Sequence, residues 1–294
     1  MSILIPFLYI LLGYIIGKLW ESSSKVFSFL LINIFIPIVV IITIVSYKGS
    51  VFHIIALSYI FSLLMYKIAS YLYSKNINKQ IMQLCFSYYN IGWLGLPIAI
   101  YFFREEVTPI MIATYMGGML YGTTVAIYSL NLLSKKNKIS PLKKLFTSMP
   151  FIAFLIAITI KIIFGYINLK EQFYEIYSIS KLIMSILGMS ILGIWLEKTP
   201  IKKEHWKSVI VFSFNRLLIG IVVFVLLLSV LYYLNLITIS EFKYLLIVPL
   251  LPVAANIVVL ESYYLNSANS AHIIAINTLF SLILLIIFGL ILKL

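Results

Sequence analysis

The chain alternates long apolar runs with short polar breaks. A helix needs about 17–25 predominantly apolar residues to cross a bilayer. Ten such runs can be read, at approximately 2–19, 26–47, 51–73, 80–103, 108–133, 147–168, 176–196, 207–234, 242–265 and 270–292. The pattern predicts an all-α polytopic membrane protein with ten transmembrane helices. The longest polar stretch, residues 135–144, carries Lys135, Lys136, Lys138, Lys143 and Lys144 and falls near the centre of the chain. It separates a first five-helix repeat (1–134) from a second (145–294), with itself as a basic linker. Five helices per half is an odd number, so the second half starts on the opposite side from the first. That is the geometry of an inverted-topology repeat, although residue-by-residue similarity between the halves is weak.

Two runs are interrupted. Helix 4 contains Asn90-Ile91-Gly92-Trp93-Leu94-Gly95-Leu96-Pro97, and helix 9 contains Pro249-Leu250-Leu251-Pro252-Val253-Ala254-Ala255-Asn256. Glycine weakens a helix, and proline also removes a backbone donor. In lipid, a broken backbone survives only where it is buried in protein or lines a polar cavity. Interrupted helices at matching positions of two halves point to a transporter's binding site, and both interruptions fall in the fourth helix of their half. A half-helix beginning near Pro97 turns its free N–H groups toward the crossing, where they suit an anion. A break after Pro252 does the same from the other direction. Asn90 and Asn256 bring amides that can donate to a carboxylate, and Gly92 and Gly95 permit close approach of a ligand. The plainer reading is that these glycines and prolines only kink helices for packing. It serves either segment alone, and the matched position favours a site.

Composition and charge sharpen this picture. Hydrophobic residues make up 63% of the 294 and mean hydropathy is +1.09, against roughly 45–50% apolar residues in a soluble domain. The net charge of +13 does not point to nucleic acid, because the lysines sit in short loops beside apolar runs. There they set topology and meet anionic lipid. Loops after helices 1, 3, 5, 7 and 9 carry thirteen lysines; the opposite side with the C-terminus carries five lysines and arginines. Positive-inside bias then puts both termini outside a cell membrane. The first run lacks a basic leader and a small-residue cleavage site, so it reads as the first membrane helix. The single cysteine, Cys85, excludes an intrachain disulfide and a cysteine-based zinc site.

Few residues inside the runs carry charge. Arg216, in helix 8, costs on the order of 3 kcal/mol to insert on translocon scales, so it faces protein or water. It either adds charge for an anionic substrate, pairs with Glu261, or tethers backbone carbonyls. Lys67 in helix 3 is its counterpart in the first half and lies near a helix end, where snorkelling suffices. Glu261 is the only acid inside a run and a candidate for proton coupling. His53 and His272 lie near helix ends, and no His or carboxylate pair has metal-ligand spacing. The chain has no Asp and contains no GxSxG, HExxH, Walker loop or GxGxxG. Neither an enzyme, nor a metal or cofactor, nor ATP-driven transport on this chain alone is expected.

At these residues the chain resembles the auxin efflux carrier family, in its bacterial or archaeal form. The resemblance rests on Asn90-x-Gly92-x-x-Gly95-x-Pro97 and on Pro252-x-x-x-Asn256 with Tyr264 following. Asn33-x-x-x-Pro37, Pro150 and Arg216 support it, and it extends over essentially the whole chain. It implies two inverted repeats, with helices 1, 2, 6 and 7 as a scaffold that forms a homodimer. Helices 3–5 and 8–10 would form a transport domain, with helices 4 and 9 crossing at its centre. An organic anion such as malate, malonate or an auxin-like acid would bind there and move by an elevator step. Asn90 and Asn256 match the family's substrate-contact positions. Glu261 departs from the family pattern, where a small residue is usual, and leaves coupling open. The related bile acid:sodium symporter type shares the plan, but the chain shows no cluster of acids and amides for sodium. An anion channel and a ligand-binding membrane sensor are the other readings.

Overall fold

The structure, a computed structural model, describes residues 5–20, 22–49, 51–73, 79–133, 140–198, 203–265, 267 and 269–291. Among these it is all-helical. Lys75, Lys135, Lys136, Lys138, Lys202 and Lys293 of the charge count, and the first half of the basic linker, lie outside the described residues. The helices run in the order α1 (Ile5–Leu19), α2 (Ser23–Val45), α3 (Phe52–Leu72), α4 (Lys79–Ser87), α5 (Leu96–Phe103), α6 (Thr108–Tyr121) and α7 (Ile127–Leu133). After the linker come α8 (Pro141–Phe146), α9 (Met149–Phe164), α10 (Leu169–Gln172), α11 (Tyr174–Lys198), α12 (Lys203–Tyr233), α13 (Ile239–Leu245), α14 (Asn256–Leu265) and α15 (Ala271–Ile291).

Among the described residues, six helical stretches are long and apolar enough to cross a membrane: Ser23–Val45, Phe52–Leu72, Ile91–Leu133, Tyr174–Trp195, His205–Tyr233 and Ala271–Ile291. The third of these bends sharply. Arg104 has φ 61°, a conformation an α-helix cannot contain, so α5 stops there and α6 restarts at Thr108 with Pro109 in its first turn. Proline is pre-set for that position.

Glycines set the closest packing. A Cβ on Gly13 would overlap the backbone of Ser190, and one on Gly193 would overlap that of Ile10. That is why α1 and α11 lie backbone to backbone. In lipid, such close van der Waals approach replaces the hydrophobic effect as the force between helices. Gly117 of α6 meets the Ile55 carbonyl of α3 in the same way, and the Ser58 hydroxyl donates to the Thr114 carbonyl at 2.8 Å. A π-helical turn, Leu31–Phe35, lies inside α2 just ahead of Pro37.

The far ends of the long helices are tied by polar contacts. Lys181 of α11 pairs with Glu105, which follows α5. The Tyr47 hydroxyl, beyond the end of α2, donates to Glu241 of α13 at 3.0 Å, and Tyr244 donates to Glu106 at 2.8 Å. Glu241 also closes a capping box with Thr238, which fixes the start of α13. Lys161 Nζ donates to the carbonyls of Tyr47 and Gly49 at 2.8 and 2.9 Å.

Candidate functional site

The two interrupted segments meet. α4 ends at Ser87, the next three residues are not helical, and a π-helical turn, Ile91–Gly95, leads into α5. On the other side, α13 is followed by a 3₁₀ turn, Val248–Leu250, and an extended stretch before α14. Tyr89 and Val253 form an isolated antiparallel bridge. The Asn90 N–H donates to the Pro252 carbonyl and the Ala254 N–H to the Tyr88 carbonyl, each at 2.9 Å. Each break therefore supplies the hydrogen bonds that the other lacks, which makes an open backbone tolerable in an apolar interior. Pro252 has no N–H of its own to satisfy and contributes only its carbonyl. The Val253 N–H goes to Asn277 Oδ1 of α15 at 2.8 Å, and Asn277 Nδ2 donates in turn to Ser213 Oγ of α12 at 2.8 Å.

Behind the bridge lies Arg216, only 2% exposed. Its Nε donates to the Phe86 carbonyl at 3.1 Å and its Nη1 to the Leu251 carbonyl at 2.9 Å. Its guanidinium carbon stands 3.6 Å from the centre of the Tyr89 ring. The sequence left three roles open for Arg216; the contacts are those of a tether between the two breaks. It makes no contact with Glu261. That carboxylate accepts from the Ser267 hydroxyl and from the Asn269 and Ser270 N–H groups, at 2.7–2.8 Å. It thereby holds the turn between α14 and α15.

In front of the bridge is a cavity of about 480 Å³, within the size range of small-molecule sites. Asn90, Gly92 and Asn256 line it, as do Tyr88, Trp93, Tyr115 and Trp195. Asn90 is 4% exposed, and its Nδ2 has no hydrogen-bond partner among the described residues. A buried unpaired donor costs about 1–3 kcal/mol, so it is a standing invitation to an acceptor. Asn256 Nδ2 donates to the Tyr88 hydroxyl at 3.1 Å, and Gly122 leaves room for that hydroxyl. The helical turns that begin at Ile91 and Asn256 both start on this cavity. Their N-terminal ends carry the positive side of the peptide dipoles toward it. Lys25, Lys144, Ser148 and Asn33 line the same space, and both lysines are exposed.

Not every residue singled out from the sequence reaches the cavity. The first break lies at Tyr88–Asn90, ahead of the Gly92–Pro97 stretch, and Pro97 sits in the first turn of α5, buried. The α-helix does begin near Pro97, at Leu96, and the π-helical turn Ile91–Gly95 ahead of it extends the helical backbone back to the break; proline fits a helix's first turn. Gly95 is buried against Leu251, which stands 2.5 Å from where its Cβ would be. Lys67 is exposed on α3. His272 stacks on His205, with ring centres 4.3 Å apart. Sequence reasoning did not single out Tyr88, Tyr115, Trp93 and Trp195, because aromatic residues of a membrane chain read as lipid contacts and interfacial anchors. No protein-family model matches the chain, and no curated protein matches it.

Proposed function

We propose that this chain is a secondary transporter of small organic anions, built on the plan of the auxin efflux carriers. The observation that carries the reading is the Asn90 Nδ2, buried and without a hydrogen-bond partner among the described residues, at a cavity where two broken helices meet. A carboxylate suits that place. It accepts from the amide of Asn90, and the adjacent helix N-termini stabilise its charge. The aromatic rings of Tyr115, Trp93 and Trp195 would pack on the remainder of the molecule.

In this reading each of the ten apolar runs is a crossing. Helical elements fall in every one: α4 with α5 make the fourth, and α13 with α14 the ninth. Helices 1, 2, 6 and 7 are the scaffold of a homodimer in the cell membrane, both termini outside, and helices 3–5 and 8–10 move the site. Lys25 and Lys144 then put the cavity mouth on the cytoplasmic side. The contacts Lys181–Glu105 and Tyr47–Glu241 link scaffold to transport domain at the other end. One open and one tied end favours a carrier over a channel.

The reading is tested by recording currents from proteoliposomes on a solid-supported membrane while malate, malonate, succinate, lactate or indole-3-acetate is applied. A saturable current with one of these, absent from empty liposomes, is expected. Currents that rise linearly without saturation would instead indicate a channel.

A further inference from the structure

We infer that the Tyr88 hydroxyl is a second donor to the bound anion, and that Asn256 acts on the anion by aiming that hydroxyl. The inference rests on the proposed anion-binding reading and assigns its contacts. Asn256 Nδ2 donates to the Tyr88 hydroxyl at 3.1 Å. An amide nitrogen has only hydrogens to offer, whereas a phenol oxygen both accepts and donates. Tyr88 therefore accepts from Asn256, and its own proton has no acceptor among the described residues. The two groups set against that oxygen, Asn256 and Gly122, both line the cavity, as Tyr88 itself does. The proton is thus free to turn to an acceptor held there.

The ring is fixed before any ligand arrives. The Tyr88 N–H donates to the Leu84 carbonyl of α4, and the Tyr88 carbonyl accepts from the Ala254 N–H, each at 2.9 Å. The ring meets Tyr121 edge to face, with centres 5.6 Å apart. Tyr121 is not a rival acceptor, because its hydroxyl is bonded to Ser87 Oγ at 2.6 Å. Gly122 opens a π-helical turn, Gly122–Ala126, between α6 and α7, and a Cβ there would overlap the Tyr88 hydroxyl. Such turns recur at functional sites, and this one leaves the space that the phenol needs. A donor locked by packing and by a second hydrogen bond needs no reordering to meet a charge. Accepting from Asn256 also polarises the phenol and strengthens its own donation. Asn90 Nδ2 and the Tyr88 hydroxyl then offer two neutral donors, and no acid among the described residues lines the cavity. That suits an ionised carboxylate better than a neutral amide, which brings hydrogens of its own.

The test is a double-mutant cycle on the purified full chain, with affinity read by titration calorimetry against malate, malonate, succinate, lactate and indole-3-acetate. For an acid that wild type binds, Tyr88→Phe is expected to weaken binding about tenfold or more, because a hydrogen bond to a charged group is lost. Asn256→Ala is expected to weaken it several-fold by itself and to change nothing in a Tyr88→Phe background, where there is no hydroxyl left to aim. The carboxylate stretching band of the bound, isotope-labelled acid reports the contact itself. It is expected to shift in Tyr88→Phe and not to move further when Asn256→Ala is added. Gly122→Ala, whose Cβ takes the hydroxyl's place, is expected to weaken binding as Tyr88→Phe does. If Tyr88→Phe does not fold, Gly122→Ala and Asn256→Ala decide: weakened binding by both supports the inference, and wild-type binding by either overturns it. A Tyr88→Phe protein that binds as tightly as wild type also overturns it. So do losses that add in the double variant, since Asn256 would then touch the anion itself. Failure of wild type to bind any of these acids sinks the transport reading and the inference with it. Binding by wild type that Tyr88→Phe leaves intact sinks the inference alone.

Discussion

The Asn90 N–H is bonded to the Pro252 carbonyl at 2.9 Å, while the Asn90 side-chain Nδ2, on the cavity side, has no hydrogen-bond partner among the described residues. One residue thus holds the two breaks together with its backbone and leaves its side chain free. The two roles separate under mutation. Asn90→Ala keeps the backbone bond and removes only a donor that nothing in the described protein accepts. Its melting temperature should stay within a few degrees of wild type, while anion affinity falls about tenfold or more. Thermal unfolding and ligand titration on the same preparation check both.

Asn277→Ala should behave in the opposite sense. It orphans the Val253 N–H and the Ser213 hydroxyl, both now satisfied at 2.8 Å. Unmade buried hydrogen bonds cost about 1–3 kcal/mol each. A melting temperature lowered by several degrees is expected, and an unchanged one would mean that water or another group replaces Asn277.

Gly92→Ala tests the width of the cavity. Its Cβ would lie 2.5 Å from the ring of Tyr115, so that ring must swing into the space. Weaker anion binding with a folded protein is expected. Gly193→Ala differs, because its Cβ overlaps the Ile10 backbone, which cannot swing aside. Overpacking of that kind costs about 1–3 kcal/mol and should appear in thermal unfolding as lost stability.

The contacts at the far end give a kinetic prediction. Val107 is fully buried behind Glu105. In a Cys85→Ser background, a cysteine placed at Val107 should react slowly with a membrane-impermeant maleimide. Adding Tyr47→Phe and Lys181→Gln, which release Glu241 and Glu105, should speed labelling several-fold. Surface ion pairs are worth only about 0–1 kcal/mol, so the expected change is one of rate without loss of fold.

Much of this was legible in the chain. The apolar runs coincide with helical elements, and six helical stretches among the described residues are long and apolar enough to cross a membrane. The glycines and prolines of the two motifs marked both interruptions. The start of the α-helix near Pro97 was legible; the π-helical turn Ile91–Gly95, which carries the helical backbone back to Asn90, was not. Pro252, by contrast, stands inside the second break itself. What stayed hidden came from partners distant in sequence: Tyr88 under Asn256, Trp195 beside the cavity, and the carbonyls of Phe86 and Leu251 on Arg216. No local periodicity encodes such meetings. The absence of an Arg216–Glu261 ion pair was hidden for the same reason, since Arg216 is held by the Phe86 and Leu251 carbonyls and Glu261 by the turn that follows it.

The most direct test of the central claim is counterflow in proteoliposomes with wild type, Asn90→Ala and Asn90→Asp. Aspartate keeps the size of the side chain and sets a negative charge where the anion's carboxylate should lie. The expected result is saturable exchange of a carboxylate by wild type, weakened in Asn90→Ala and abolished in Asn90→Asp, all three folded. Equal exchange by wild type and Asn90→Asp would contradict an anion site at the bridge.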